Sequence, residues 1–345
     1  MADIEVREAG QEDNQALIEL ERASPMGVET VIALDRSPDF FARSKAYKSW
    51  KALVAEEAGE LVGVGAVAFK RLRVAEKPVK AAYFYDLRVA PTHRRRGVAS
   101  AIGDALRAVV RAEGVEMGYS LVMEGNVPSL EFVAKRGSRP VRRCLLWASP
   151  VVGEGPAGKS PFRDLEERDY ERVARALGRC YSRHDLYPNW DAQGLKGLVS
   201  RACLGPADLR VWDDQGRVRA CFGLWDYSSV MRMRFLRVKV PGPGHEEAFP
   251  RPGQELHQYF LLPLAFEGEE ELLSLITEAR RMVLERGGAQ GAFASLMIPY
   301  DPEDSRFRPL SHLPHFEVGL QFFVLFLGGE ATIGERPIYL DPVDL

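Results

Sequence analysis

"LRVAPTHRRRGVASAIGDAL" occupies residues 87–106. A strand-like run stops at Pro91, a basic cluster (His93, Arg94, Arg95, Arg96) follows, and Gly97 ends the turn. From there Val98, Ile102, Ala105, Leu106 and Val109 fall on one helical face. The order is strand, basic glycine turn, helix. The first N–H groups of a helix lack intrahelical acceptors, and the helix dipole places partial positive charge at that end. Gly97 lets backbone approach a ligand closely, and arginines add charge and forked donors. Together these features predict a pyrophosphate site. A solvated helix end and a nucleic-acid patch are the competing readings.

The totals weigh against nucleic acid. The chain has 345 residues, a net charge of −3, 28% charged and 46% hydrophobic residues, so two domains of ordinary composition are expected. A dedicated nucleic-acid binder is usually basic overall. The start, "MADIEVREAG", lacks the apolar core of a signal peptide. The runs "YFLLPLAF" and "GLQFFVLFLGG" fall short of the ~20 residues a membrane helix needs. Cys144, Cys180, Cys203 and Cys221 show no CxxC spacing and read as reduced. A cytoplasmic protein with no nucleic-acid or membrane partner is expected; a homo-oligomer stays open. His312 and His315 flank Pro314 without a third ligand, so no metal is expected.

The chain repeats itself. Arg7, Glu8 and Asp13 in "VREAGQEDNQALIEL" match Arg163, Asp164 and Asp169 in "FRDLEERDYERVARAL", each as strand, turn with an N-cap aspartate, and amphipathic helix. "ALVAEEAGELVGVGAV" (52–67) and "LRVWDDQGRVRACFGL" (209–224) both read as hairpins turning at Gly59 and Gly216. The near-constant offset argues for duplication of a whole domain. The boundary is the Gly/Pro-rich stretch 149–161. Within it Gly153–Ser160 spells GxxxxGKS, but Pro161 forbids the helix a phosphate loop requires. The expected layout is a domain at 1–150, a linker at 151–160 and a second domain at 161–345.

The first half reads as a strand (3–8), a helix (13–24), a mobile-looking segment (25–50), a hairpin (52–69), a strand (80–89), a helix (98–113), a strand (116–123), a short helix (127–136) and a closing strand (140–148). Arg94-x-x-Gly97-x-Ala99 after "LRVAP" resembles the acyl-CoA signature of the GNAT superfamily of N-acetyltransferases, and "NVPSLEFVAKRGSRPV" (126–141) resembles that family's later helix. The resemblance implies an α/β (α+β) fold of two tandem GNAT-like domains, each a mixed, mostly antiparallel twisted sheet flanked by helices. It implies that acetyl-CoA lies where two strands splay apart. The pantetheine arm would pair with the backbone of Leu87 and Val89, on either side of Arg88. The pyrophosphate would sit on Arg94, Arg95, Arg96, Gly97, Val98 and Ala99, with Ser100 next in the helix. Asn126, with Ser129 beside it, would reach in from the far side.

The implied activity is acyl transfer from acetyl-CoA to a primary amine. The resemblance places a carboxylate base on the strand before the pantetheine contacts, where "YFYDLRV" offers Asp86 with Tyr85 beside it, and Glu124 ends the next strand. The family's thiolate-protonating tyrosine falls at Val133. That departure motivates the alternative of a non-catalytic acyl-CoA sensor or scaffold. In the second half "QYFLLPLAF" (258–266) and "EEELLSLITEARRMVLER" form the matching strand and helix, but Glu267, Glu269, Glu270 and Glu271 replace the arginines. They suit a helix dipole and would repel a pyrophosphate, so a degenerate second domain is expected.

Overall fold

The fold follows from alternating apolar runs that form strands and from the edges those strands must cover. The computed structural model describes residues 4–27, 29–153, 155–156, 158–239, 249–287, 292–328 and 333–345. Glu154 and Ala157 of the expected linker, and the first three residues, lie outside the described residues.

In the first half β1 (Ile4–Glu8) leads into α1 (Asn14–Arg22), then β2 (Val31–Asp35) and α2 (Ala42–Lys45). The stretch expected to be mobile is therefore structured: Phe40, Phe41 and Tyr47 bury their rings there, apolar area that a loop in solvent would leave exposed. β3 (Trp50–Glu57) and β4 (Glu60–Val74) meet at Ala58 and Gly59, both at positive φ, the turn that suits twisted hairpins. β5 (Lys77–Val89), α3 (Val98–Ala112), β6 (Met117–Met123), α4 (Val127–Lys135) and β7 (Arg139–Pro150) complete this half of the sequence. α3 lies close on β4 because Gly63 and Gly65 have no side chains: a Cβ there would stand 2.8 Å from Val98 and 2.7 Å from Ile102.

The second half repeats the plan with β8 (Arg163–Asp164), α5 (Tyr170–Cys180), α6 (Ala192–Arg201), β9 (Leu209–Asp214), β10 (Arg217–Asp226), β11 (Arg232–Arg237), β12 (Glu255–Phe266), α7 (Glu269–Glu285), β13 (Phe293–Tyr300) and β14 (Phe316–Phe326). The repeat is visible in side chains. Arg7 forks onto Asp13 at 2.7 and 2.8 Å, and Arg163 forks onto Asp169 at 2.6 and 2.9 Å. Asp13 and Asp169 also accept the amides of Gly10 and Glu166 at 2.8 and 2.9 Å. Neither carboxylate caps the following helix, contrary to the sequence expectation, because the arginine and the turn amide already occupy it.

All strands join one sheet in the order β1-β3-β4-β5-β6-β14-β7-β13-β12-β10-β9-β8, with β11 bridging β12 and β2. The strand expected to close the first half, β7, does not: it pairs with β13 and β14, and β14 from the second half pairs with β6. The halves exchange their last strands. A strand needs partners for its backbone N–H and C=O groups, and here each half supplies the other's. One core continues across the exchange, from Leu17 and Val54 to Leu177 and Trp225. Among the described residues no helix is long and apolar enough to cross a membrane.

Residues 1–150 expressed alone would leave β6 without β14 and β7 without a sheet. The expected outcome is association through these open edges and no cooperative melting transition by circular dichroism, whereas the full chain melts cooperatively. A monomeric 1–150 fragment with a sharp transition would contradict a structural role for the exchange.

Candidate active site

β5 and β6 run parallel and pair at only three positions, Ala81–Met117, Ala82–Gly118 and Tyr83–Tyr119. Beyond Tyr83 they separate. β5 continues to Val89 along β4, and β6 continues to Met123 along β14. A gap opens between them, with the edge of Tyr85–Val89 on one side. Leu87, Met123 and Val127, on the elements around it, keep large apolar side chains in solvent.

At the open end lies the basic turn. Pro91–His93 form a 3-10 turn, Arg95 and Gly97 take positive φ (62° and 90°), and α3 starts at Val98 with no side chain capping it. A Cβ on Gly97 would touch nothing within 4 Å, so its need for glycine is conformational and not steric. The structure divides the arginine trio. Arg96 gives Glu57 a hydrogen bond at 2.7 Å, beside His93 at 3.2 Å from the same carboxylate. Arg94 and Arg95 are exposed and carry no partner among the described residues. They stand at the same turn as the uncapped N–H groups of Val98, Ala99 and Ser100, donors and charge of the kind that suit an anion. Across the gap, Asn126 Oδ1 accepts the Ser129 amide at 3.3 Å and caps α4.

Asp86 interrupts β5. It sits at φ 54° in a bulge, where Tyr85 pairs with Ala66 and Arg88 with Val64. Its carboxylate takes Arg36 at 2.6 Å and Arg43 at 3.0 Å. Arg36 also holds buried Glu21 at 2.7 Å, and Arg88 turns inward to the Ser24 carbonyl at 2.9 Å. Burial alone would raise the Asp86 carboxyl, but Arg36 and Arg43 hold it well below the usual carboxylate range. Tyr85 donates to Ser44 Oγ at 2.8 Å, and burial pushes its hydroxyl well above the ordinary tyrosine range. Glu124 is drawn elsewhere: it pairs with Arg143 of β7 at 2.7 Å and lies over Gly319. The structure thus joins Tyr85 and Asp86 at the gap and leaves Glu124 with the exchanged strands.

At the narrow end stand Lys70, Tyr119 and Asp344, which sequence reasoning missed, beside Tyr83. Tyr119 donates to Asp344 Oδ2 at 2.8 Å, and Tyr83 donates to the Asp344 carbonyl. Lys70 pairs with Asp341 and Asp344, each at 2.8 Å. Burial raises the Asp344 carboxyl, and Lys70 opposes the rise. Nothing local marks these contacts, which span 225 and 261 residues. Arg36 and Arg43 did carry a signal: two cations set among Phe40, Phe41 and Tyr47 require buried counter-charges.

The second half has the same frame with its gap filled. β12 and β13 pair from Leu256–Phe293 to Phe260–Met297 and then part. Phe307 stands between Phe266 and Tyr300, with ring centroids 5.2 and 5.3 Å away. Leu310 is fully buried beside it, and its carbonyl accepts Trp147 Nε1 at 3.1 Å. Glu267 pairs with Arg217 at 2.7 Å, and Glu271 pairs with Arg219. Among the described residues no group of three or more His, Cys, Asp or Glu could hold a metal ion.

The chain resembles known proteins in keeping with this geometry. Residues 5–126 match the acetyltransferase (GNAT) domain family. No curated protein matches the sequence. Among solved structures, Saccharomyces cerevisiae N-myristoyltransferase with bound myristoyl-CoA is 11% identical with a TM-score of 0.66, covering 94% of this chain and 79% of its own. A GCN5-related N-acetyltransferase from Sphaerobacter thermophilus is 12% identical with a TM-score of 0.59, covering 97% of each chain. A tandem GNAT protein from the clavulanic acid biosynthesis pathway is 12% identical with a TM-score of 0.58, covering 96% of this chain and 100% of its own. At these identities the structures show a shared fold. Residues 5–126 thus match a GNAT acetyltransferase domain, and the chain as a whole shares the fold of these acyltransferases, a tandem GNAT protein among them.

Proposed function

We propose that this protein transfers an acetyl group from acetyl-CoA to a primary amine, with the chemistry in the first half. One observation carries the reading: the β5–β6 gap opens onto an uncapped helix start flanked by the exposed Arg94 and Arg95. Pyrophosphate on the amides from Arg94 to Ser100 directs the pantetheine arm along Val89 and Leu87, which brings the thioester toward the Tyr83–Tyr119 end. The unpaired edge of β5 offers backbone N–H groups to the developing oxyanion.

Asp86 serves this reading as an anchor more than as a base. Two arginines already neutralise it, which leaves it little affinity for a proton. It fixes the bulge that turns the edge of β5 toward the gap, and the amine's proton leaves through water. Tyr85, bonded to Ser44, lines the wall. Asn126 and Ser129 close the far side through the cap of α4. The second half binds no CoA in this reading, because Phe307 and Leu310 fill its gap and glutamates surround its helix start. A non-catalytic acyl-CoA sensor is the second reading, favoured by Val133 where the family's tyrosine would stand.

Turnover of acetyl-CoA with a panel of amines separates the two, since a sensor binds without releasing thiol. Calorimetry on the full chain should find one CoA site, and Gly97→Glu should weaken it at least about ten-fold with the circular-dichroism spectrum unchanged, because charge and strain enter where phosphate must sit. Two equivalent sites, or unchanged affinity, would count against the reading.

Asp86→Asn tests the anchor. Removing this buried counter-charge should cost about 3–5 kcal/mol of stability near neutral pH. A depressed folded pKa stabilises above the unfolded value of ~3.9, and that contribution is lost as pH falls through the folded value. In urea titrations the gap between wild type and variant should therefore stay level from about pH 5 to 8 and shrink only below about pH 4. The acidic limb of kcat/KM should persist in the variant; its disappearance with a loss of about 10²-fold or more would make Asp86 the base.

A further inference from the structure

The narrow end of the gap is built from both halves. Tyr83 of β5 and Tyr119 of β6 are the last paired residues before the strands part. Their hydroxyls converge on Asp344, one on its carbonyl and one on its carboxylate. Lys70 completes the carboxylate at 2.8 Å, and Arg43 ties the Asp344 carbonyl to the Asp86 bulge, reaching each at 3.0 Å. Tyr83, Tyr119 and Asp344 are at most 4% exposed. A buried carboxylate persists only where partners satisfy it, and here every partner comes from the first half.

We propose that Asp344 is the specificity-determining residue for acyl-chain length: by pinning Tyr83 to Tyr119 it closes the end of the gap against long chains. The proposal rests on the acyl-CoA reading above. The donor enters with its pyrophosphate at Gly97 and its acyl group toward this end. An acetyl group stops short of the tyrosines. A longer chain must push between Tyr83 and Tyr119 and strip Tyr119 and Lys70 of their shared carboxylate. That loss offsets what burial of the added methylene groups returns. The second half thereby sets a property of the first, although its own gap is filled.

Calorimetric titration of the full-length protein with unacylated CoA, acetyl-CoA and octanoyl-CoA tests this without an acceptor. Wild type should prefer acetyl-CoA over octanoyl-CoA by at least about ten-fold, and Asp344→Ala should reduce that preference to about three-fold or less, with the affinity for unacylated CoA held within about three-fold. Tyr119→Phe removes one hydroxyl and should reduce the preference by about three-fold, which keeps the test open should Asp344→Ala fail to fold. Equal wild-type affinity for the two acyl-CoAs, or an unchanged preference in a folded Asp344→Ala or Tyr119→Phe protein that still binds CoA, overturns the proposal alone. Failure of wild type to bind unacylated CoA overturns the acyl-CoA reading and this proposal with it.

Discussion

β6 can border an open gap only because its other edge is covered. A strand with both edges bare would present two rows of unpaired N–H and C=O groups. β14 covers one edge of β6 from Met117 to Met123, which leaves the other free to part from β5 beyond Tyr119. The chain reaches this arrangement by exchange: β7 crosses to β13, β14 crosses to β6, and the two pair with each other between the halves. The gap, the helix start above it and the wall of tyrosines below it all depend on that crossing.

The two halves share a frame although their sequences and gaps differ. The Arg7–Asp13 and Arg163–Asp169 forks, the two hairpins with positive-φ turns and the glycine-started helices are local devices that each half builds alone. What differs is the content of the gap. In the first half a polar cluster stands at the narrow end and the rest stays open. In the second, Phe307 and Leu310 fill the space with apolar volume, which stabilises the sheet there as core packing does. Glutamates at the start of α7 satisfy the helix dipole.

Charge inside the first half follows one rule, that every buried ion has a partner. Glu21, Arg36, Asp86 and Arg43 form a chain of alternating sign, and Lys70 lies between Asp341 and Asp344. Breaking such a chain at one member is costly even where the intact chain adds little stability. The rule also separates Arg96, paired with Glu57, from Arg94 and Arg95, which have no partner among the described residues and face solvent at the helix start.

The sequence by itself determined most strands and helices of the first half, the repeated frame and the basic turn before α3, because each is written in neighbouring residues. The helical spacing of Val98, Ile102 and Leu106, the basic turn before Gly97 and the repeated Arg–Asp spacing need no distant contact to be read. Tertiary structure alone decided which strand closes which half, the burial of the 25–50 stretch, the pairing of Asp86 with Arg36 and Arg43, the withdrawal of Glu124 toward Arg143, and the arrival of Asp344 between Tyr83 and Tyr119. These depend on edges and buried charges meeting across tens to hundreds of residues. A strand's alternation shows that it has two edges and does not show who will cover them. A carboxylate's letter shows a charge, and only the fold shows whether a cation waits to neutralise it.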